Sequence, residues 1–305
     1  MARSRTAAIG LRRWKERQTD SADCTHRTAY AARRVQSGSG YHEHCNTEEK
    51  QRQRDAVAAH LAAYINSLGS SFSPFVCSLP GERWIVEHSL LNQVKSTKLE
   101  FVGFEKCPVT YQRSLPYIPR AKYRHNRVHS VSLDRHADIQ AVTSGGRAKL
   151  VLGDISTCLS YTGTEEQPDT AGFFKDKPSN RIVRSYHGFW LDTFSPLGSD
   201  TGWACAKILA KLASTRFGAA FAFAFVLGRD IAPYTQLINA STAATPLARR
   251  VDAVRLLIEQ FGRKCAIADV LTHDSWNDNS TLKIVTILGS VLPRENSSAD
   301  DHAHG

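Results

Sequence analysis

The chain has 305 residues, of which 42% are hydrophobic and 22% are charged, and its formal net charge at pH 7 is +10. This composition is typical of a globular protein, and no apolar run approaches the roughly 20 residues of a membrane-spanning helix. We therefore expect no membrane partner, and either one large domain with an appendage or two small domains.

The excess of positive charge lies at the N-terminus. Residues 1–54 carry twelve Lys and Arg against six Asp and Glu, and they show no sustained apolar periodicity. We expect a basic, disordered arm there, which would favour polyanions such as nucleic acids through the release of counterions. An arm that only confers solubility is the alternative.

Cysteine usage indicates the compartment. The seven cysteines stand singly along the sequence, which is typical of free thiols in a reducing compartment, so we expect a cytoplasmic protein. The arm also holds residue types that bind zinc, namely Cys24, His26, His42, His44 and Cys45. Because a single residue separates Cys24 from His26 and His42 from His44, which is closer than in zinc modules, we predict no metal site.

After the arm, helical and strand patterns alternate. A helix with linker is expected over residues 55–72, a main domain over 73–292, and a polar, disordered tail over 293–305. In chain order we predict helix 55–68, strand 75–79, helix 82–94, strand 99–105, helix 108–115, a weak helix at 137–143, strands 149–154 and 186–191, helix 202–213 capped by Ser199 or Asp200, strand 219–227, helix 246–261, and a hairpin of strands 265–272 and 282–291.

Several predicted strands end on a carboxylate. The segments LEFVGFE, KLVLGD and HGFWLD end on Glu105, Asp154 and Asp192, and the apolar run 219–227 is followed by Gly-Arg-Asp. The carboxyl ends of parallel strands meet at one edge of a sheet, and open α/β sheets bind their ligands there. We expect these acids to lie around one site.

The order of elements predicts the fold class. Strands that alternate with helices indicate an α/β fold with a Rossmann-like, mostly parallel seven-stranded sheet and helices on both faces. The last two strands form a C-terminal antiparallel hairpin. Five strand–helix units followed by such a hairpin resemble the class I S-adenosylmethionine-dependent methyltransferases over residues 73–292.

This resemblance implies S-adenosylmethionine as the cofactor. Glu105, with Lys106 beside it, matches the family's acid that accepts hydrogen bonds from the ribose hydroxyls, and such charged acceptors bind two adjacent donors strongly. Asp154 resembles the acid that accepts from the adenine amino group, and Ile155 would pack on the ring. A strand-end glutamate facing water and an aspartate that caps the next helix are the alternatives.

The resemblance also implies a reaction centre after the fourth strand. Asp192 would orient the methyl acceptor there, with Phe194, Ser195 and Pro196 forming the rest of the loop. The acid, the aromatic residue and the proline stand in a different order from the family's amino-group methyltransferases. The type of acceptor is therefore not carried over.

The loop after the first strand departs from the family, which has a glycine-rich loop there so that backbone can approach the methionine part of the cofactor. The segment 77–82 (CSLPGE) holds one glycine and a proline. Leu79 and Gly81, with the first turn of a helix beginning at Glu82, would have to supply backbone donors instead.

Residues 111–136 form a basic insertion in which cations alternate with stackable rings. This pattern suits contact with phosphates and bases, and the alternative is a solvated insertion whose tyrosines pack on the sheet. Residues 162–180 form a polar loop that we expect to act as a mobile flap. The predicted nucleic-acid contacts are Arg113, Arg120, Lys122, Tyr123, Arg124 and Arg127.

Together these features predict a methyltransferase that acts on a nucleic acid or another polyanion. A catalytically inert nucleic-acid-binding protein of the same fold is the alternative, and a scaffold without a small ligand is a third. The sequence has no phosphate-binding loop, no Gly-x-Ser-x-Gly and no His-Glu-x-x-His, which argues against kinases, hydrolases and zinc proteases. No oligomeric state is predicted.

Overall fold

The computed structural model describes residues 47–119, 127–129, 141–144, 147–155, 185–228, 235–277 and 280–294. By internal contacts the chain divides into two units, Met1–Thr47 and Glu48–Gly305. The predicted basic arm up to residue 46, its Cys and His residues, and the polar loop 162–180 lie outside the described residues. Among the described helices, none is both long enough and apolar enough to cross a membrane.

The described part of the second unit contains one sheet and helices on both of its faces. Its strands are β1 Phe75–Ser78, β2 Glu100–Glu105, β3 Arg127–His129, β4 Ala141–Ser144, β5 Ala148–Leu152, β6 Gly188–Pro196, β7 Ala219–Val226, β8 Cys265–Asn277 and β9 Ser280–Val291. Its α-helices are α1 Glu48–Ser67, α2 Ile85–Gln93, α3 Pro108–Ser114, α4 Asp200–Leu212, α5 Thr235–Ala240 and α6 Pro246–Gln260.

The strands form a sheet in the order β3-β4-β5-β2-β1-β6-β7-β9-β8. The five central strands, β5 to β7, are parallel, whereas β9 pairs antiparallel with both β7 and β8. The predicted α/β class, the mostly parallel sheet and the C-terminal hairpin are thus confirmed. Two short antiparallel strands, β3 and β4, extend the sheet beyond the seven strands that the sequence patterns indicated.

The prediction of a weak helix over residues 137–143 is wrong where the chain is described. Residues 141–144 form β4, which pairs antiparallel with β5. Val142 and Thr143 are β-branched and favour a strand once a partner strand is available. That partner is β5, and the sequence pattern of the segment alone does not reveal it.

The two faces of the sheet differ in side-chain size at β7. Its phenylalanines, 221, 223 and 225, belong to the core cluster that includes α4 and α6. Its alternate alanines, 220, 222 and 224, belong to the cluster that includes α1 and α2. Small residues allow a helix axis to approach the sheet closely, so the alternation of Ala and Phe places α1 directly over β7.

Helix α1 begins at Glu48, whereas the apolar periodicity indicated a start at residue 55. The first two turns are polar, which conceals them from a pattern of apolar spacing. One of their polar side chains is nevertheless buried, because the Gln53 amide donates a hydrogen bond to the Thr286 hydroxyl of β9. The start of α1 is therefore part of the folded unit.

Candidate functional site

The site lies where the central strand β1 ends earlier than its neighbours. Ser78, its last residue, is in register with Gly103 of β2 and Trp190 of β6. Glu105 and Asp192 stand two residues further along those strands, one on each side of the end of β1. Because side chains alternate along a strand, these two acids share one face of the sheet with Ser78.

Glu105 and Asp154 come from adjacent parallel strands. The Gly153 N–H donates to the Glu105 carbonyl over 3.0 Å, which holds the end of β5 against the end of β2. The Lys106 Nζ lies 3.9 Å from the Asp154 carboxylate, and Glu105 Oε1 accepts a 2.7 Å hydrogen bond from the Cys107 N–H. The structure therefore brings together the three polar residues of the predicted adenosine site.

The apolar members of the predicted cofactor site lie deeper. Ile155 is buried in the core cluster that includes α4, and Leu79 packs against that same cluster. Gly81 is exposed and has a φ of 62°, and no atom lies within 4 Å of the position that a Cβ would take. Of the two predicted loop contacts, Gly81 is exposed and Leu79 is half-buried.

The loop after β1 differs from the prediction in its helix boundary. Helix α2 begins at Ile85, so a helical first turn at Glu82 is wrong, and Trp84 forms the N-cap with a φ of 52°. Trp84 is fully buried, and a Cβ on Gly103 would lie 2.7 Å from its Cη2. The glycine that permits a close approach thus stands in β2, where the Trp84 ring covers it. No capping residue precedes Ile85 in the sequence, so the prediction relied on the apolar stripe and placed the start of the helix too early, at Glu82.

The acceptor loop is an irregular continuation of β6. Asp192 pairs with Ala224 and Pro196 with Val226, so three residues of β6 oppose a single residue of β7. The Thr193 hydroxyl holds this bulge by donating to the Ala224 carbonyl over 3.1 Å. Such bulges re-aim side chains, and this one places Phe194 in solvent.

Phe194 and Asp192 mark the two sides of that bulge. Phe194 has a φ of 50° and is 43% exposed, and the Lys50 Nζ of α1 lies 5.4 Å from its ring centroid. Asp192 Oδ1 is buried and has no hydrogen-bond partner among the described residues. The bulge therefore exposes an aromatic ring beside a cation and keeps a carboxylate oxygen inside.

The buried histidine His273, on strand β8 of the C-terminal hairpin, is influenced by charges of α1 and of the β6 bulge. Burial and the charge of Lys50 lower the pKa of His273 on β8, and the Asp192 carboxylate opposes that shift. The start of α1, the end of β6 and β8 thus act electrostatically on one another. Sequence patterns did not single out His273 or Lys50, because their proximity depends on strand order.

Glu87 is a second residue that sequence reasoning missed. It lies on α2, is 1% exposed, and has its pKa raised by burial to about 8; the Ser78 hydroxyl and the Arg54 charge oppose that shift. The indole Nε1 of Trp84, the N-cap residue of the same helix, is buried without a hydrogen-bond partner among the described residues. The available signal was an acid that follows Ile85 and Val86 and precedes Leu90 and Leu91.

The described part of the basic insertion does not form an open cationic surface. Arg113 pairs with Glu82 at 3.2 Å, and Tyr111 is buried in the core. Arg127 lies in β3, where only the backbone is described. The other predicted contacts, Arg120, Lys122, Tyr123 and Arg124, lie outside the described residues.

No protein-family model and no curated protein matches the sequence. Solved structures do: TYW2 from M. jannaschii in complex with AdoMet has 11% identity and a TM-score of 0.40, with 81% of this chain and 78% of that chain covered. Magnesium protoporphyrin IX methyltransferase (ChlM) from Synechocystis PCC 6803 with bound SAM has 12% identity and a TM-score of 0.42, with 90% and 94% covered. An O-methyltransferase from Bacillus cereus in complex with SAH has 9% identity and a TM-score of 0.38, with 92% and 96% covered.

The order of strands in the sheet decides the fold. Five parallel strands run from β5 to β7, and the closing hairpin is folded back so that β9 lies between β7 and β8. The chain has the Rossmann-like, mostly parallel fold with a closing antiparallel hairpin that its resemblance to the class I methyltransferases implied.

Proposed function

We propose that this methyltransferase-type chain binds S-adenosylmethionine at the carboxyl edge of its sheet and transfers the methyl group to a nucleic acid or another polyanion. The observation that carries the proposal is the position of Glu105 and Asp154 at the ends of adjacent parallel strands, linked by the hydrogen bond from Gly153. Two acids so placed can accept from two separate groups of donors on one nucleoside.

The residues of the edge fit the chemistry of this cofactor. Glu105 would accept from the ribose hydroxyls and Asp154 from the adenine amino group, while Lys106 holds the Asp154 carboxylate from the adjacent loop. The exposed backbone of Gly81 can approach a ligand without a Cβ in the way. The cofactor, when bound, supplies an electrophilic methyl group on a sulfonium centre.

The chain's own part in such a transfer is alignment and the exclusion of water, which supply most of the acceleration in an in-line displacement. Asp192 stands on the acceptor side of the edge, with Oδ1 buried and without a partner among the described residues. The half-buried Asp192 carboxylate can accept a hydrogen bond from the acceptor and orient its nucleophilic atom. Ser195 and Pro196 complete the bulge that holds Asp192 in place.

A polyanionic acceptor is supported by charge. The sequence carries +10 overall, with the excess concentrated in residues 1–54 and further cations within 111–136. Among the described residues, Lys50 lies beside the exposed ring of Phe194 on the acceptor loop. A cation next to an exposed ring suits a ligand that has both phosphates and bases.

A catalytically inert nucleic-acid-binding protein is the second candidate. It is favoured by the loop after β1, where the buried ring of Trp84 replaces a run of glycines. Such a chain would retain the fold and the basic segments without binding the cofactor.

Calorimetric titration with S-adenosylmethionine tests the first candidate. Wild type should bind, and Glu105→Gln and Asp154→Asn should each weaken binding about tenfold to a hundredfold, the usual effect of losing a hydrogen bond to a charged group. The amide oxygen of Gln can still accept from the Cys107 N–H, so Glu105→Gln should keep its fold. Glu259→Gln, on α6, is the matched control.

The two candidates give different results. A folded wild-type chain that produces no binding heat at millimolar S-adenosylmethionine rejects the cofactor site. A gel shift of short RNA that weakens as salt rises would then support the second candidate. If the RNA shows no gel shift at low salt, nucleic acid is rejected as the partner in both candidate functions.

A further inference from the structure

The amino edge of the sheet, where the parallel strands begin, lies opposite the candidate site and is lined with positive charge. Seven described stretches border this edge, namely residues 66–74, 94–99, 147, 185–187, 213–218, 261–264 and 292–294. Together they contain seven Lys and Arg and no Asp or Glu, whereas the whole chain has 39 Lys and Arg against 29 Asp and Glu. The described part of this edge therefore carries cations without the acids that accompany them elsewhere.

Strand direction places these cations on the same side of the sheet. The strands β5, β2, β1, β6 and β7 are parallel, and β8 runs in the direction of β7 because both pair antiparallel with β9. Arg147, Lys98, Arg216 and Lys264 precede β5, β2, β7 and β8, and Arg294 follows β9. Adjacent strands are about 4.8 Å apart, so the edge from β5 to β8 is about 30 Å long.

Hydrogen bonds fix the part of this edge that lies between β7 and β8. The buried guanidinium of Arg263 donates to the carbonyls of Ser214 and Leu292 over 2.8 and 2.9 Å, and the Arg294 N–H donates to the Thr215 carbonyl over 2.8 Å. Burial and the charge of Arg294 lower the pKa of Arg263. The segments before β7, before β8 and after β9 thus bring like charges close to one another in a fixed arrangement.

Six of the seven cations reach the surface, and we call them the basic edge: Lys95, Lys98, Arg147, Arg216, Lys264 and Arg294. Among the described residues, no acid forms an ion pair with Lys98, Arg216 or Arg294. Of the nearest acids in the sequence, Glu100 is half-buried at the start of β2, and Glu259 pairs with Arg255 at 2.7 Å. Repulsion between the cations of the basic edge would be relieved by an anionic partner.

We propose that the basic edge binds the phosphate backbone of a nucleic acid, as a second contact surface on the side of the sheet opposite the candidate site. A row of cations about 30 Å long matches a partner with regularly repeated charges, which gains affinity through the release of counterions. The proposal goes beyond the proposed function, because it involves neither the cofactor nor the methyl acceptor. It holds even if the carboxyl edge of the sheet binds no cofactor.

An anionic membrane is the other large polyanion that such a surface could attract, but the apolar residues of this edge do not favour it. Proteins that lie on membranes add a face of apolar side chains that enters the lipid headgroups. In the described part of the amino edge, Leu292 is the one large apolar side chain that is exposed. The rings of Phe72 and Phe217 pack edge to face instead, with centroids 4.8 Å apart.

The test measures binding of a short, labelled single-stranded RNA to the full chain by fluorescence anisotropy over a salt series. The double variant Lys98→Gln/Arg294→Gln removes two cations from the basic edge, and Lys207→Gln/Arg249→Gln removes two exposed cations of α4 and α6 as the matched control. The first variant should bind more weakly. Its plot of log affinity against log salt should be shallower by about 1.4, at about 0.7 for each lost phosphate contact. The control should keep the wild-type slope.

A second measurement does not depend on the variants. Acetylation of the wild-type chain, followed by mass spectrometry, reports which lysines the RNA covers. RNA should protect Lys95 and Lys98 of the basic edge and leave the labelling of Lys207 unchanged. Equal labelling of all three lysines with and without RNA would show that the basic edge is not covered.

Other outcomes overturn the proposal as plainly. Equal affinities and slopes for the two double variants, both folded by circular dichroism, would remove the basic edge from the interface. A folded wild type that binds no RNA at low salt rejects a nucleic-acid partner altogether. If Lys98→Gln/Arg294→Gln loses binding to phosphatidylserine vesicles but keeps the wild-type RNA affinity, the partner is a lipid surface. Titration with S-adenosylmethionine is scored separately, so failure of the cofactor site leaves this result unchanged.

Discussion

At the scale of single residues, burial moves the pKa values of Glu87 and His187 in opposite directions. Burial raises the pKa of Glu87 to about 8, and it lowers that of His187 to about 4. The His187 Nδ1 accepts a 3.2 Å hydrogen bond from the Phe75 N–H, which requires a ring that is unprotonated at that nitrogen. The folded chain therefore holds both groups neutral near pH 6.

These shifts predict a stability maximum between the two titrations. Glu87 binds its proton more tightly when folded, so its contribution is complete below about pH 4.5 and is lost as pH rises to about 8. His187 binds its proton less tightly when folded, so its contribution is present above about pH 6.5 and is lost as pH falls to about 4. Each contribution changes by about 1.4 kcal/mol per pH unit within its own window, and the two changes oppose each other where the windows overlap, between about pH 4.5 and 6.5.

Urea unfolding of wild type and Glu87→Gln between pH 5 and 9 checks the alkaline side. The stability of Glu87→Gln relative to wild type should increase as pH rises through that window, because the variant has no proton to lose. Glu259→Gln should keep the wild-type profile. Parallel profiles for wild type and Glu87→Gln would contradict the buried, protonated state of Glu87.

At the scale of elements, the start of α4 fixes the acceptor loop. The Ser199 hydroxyl accepts from the Gly202 N–H over 3.1 Å, which confirms it as the helix cap, and donates to the Pro196 carbonyl over 2.6 Å. Gly202 lets the first turn lie against the loop backbone, since a Cβ there would meet the Pro196 carbonyl oxygen and lie 2.8 Å from that of Leu197.

Gly202→Ala should therefore destabilise the chain by about 1–3 kcal/mol, the cost of overpacking against atoms that cannot rotate away. Chemical denaturation measures this loss. Gly228→Ala, at the end of β7, is the matched control, because the nearest atom to its Cβ would be a side-chain carbon of Pro196 at 3.3 Å. Equal stability of Gly202→Ala and wild type would show that the loop is not held by this contact.

At the scale of the whole molecule, the basic N-terminal region is divided by the start of α1. Residues 48–54 are helical, and two of them reach the site: Lys50 approaches Phe194, and Arg54 acts on Glu87. Residues 1–46 carry nine Lys and Arg against four Asp and Glu. A deletion can therefore remove the charge of residues 1–46 and still retain the residues of α1 that contact the sheet.

Deletion of residues 1–46 should leave the free energy of unfolding within about 0.5 kcal/mol of that of the full chain, because α1 is retained. It should weaken RNA binding and make the dependence of affinity on salt shallower, as fewer counterions are released. Fluorescence anisotropy over a salt series measures the RNA affinity and its dependence on salt. A shortened chain with unchanged affinity and slope would remove the N-terminal arm from the interface.

The local sequence pattern was sufficient to locate some residues of the candidate site. Glu105, Asp154 and Asp192 were located because each follows an apolar strand, and parallel strands that alternate with helices must bring their carboxyl ends to one edge. The Ser199 cap was located because a hydroxyl before a helical pattern has one local partner. Neither inference needs knowledge of distant neighbours.

The sequence by itself thus determined the class of fold, the edge that carries the acids and most of the strands, since these depend on spacing along the chain. Only the tertiary structure decided that α1 begins at Glu48, that Trp84 covers Gly103 and that Glu87 is buried. Each of these depends on which distant strand or helix lies opposite. Burial and cross-strand neighbours arise only when the sheet is assembled, and burial sets the pKa values of Glu87 and His187.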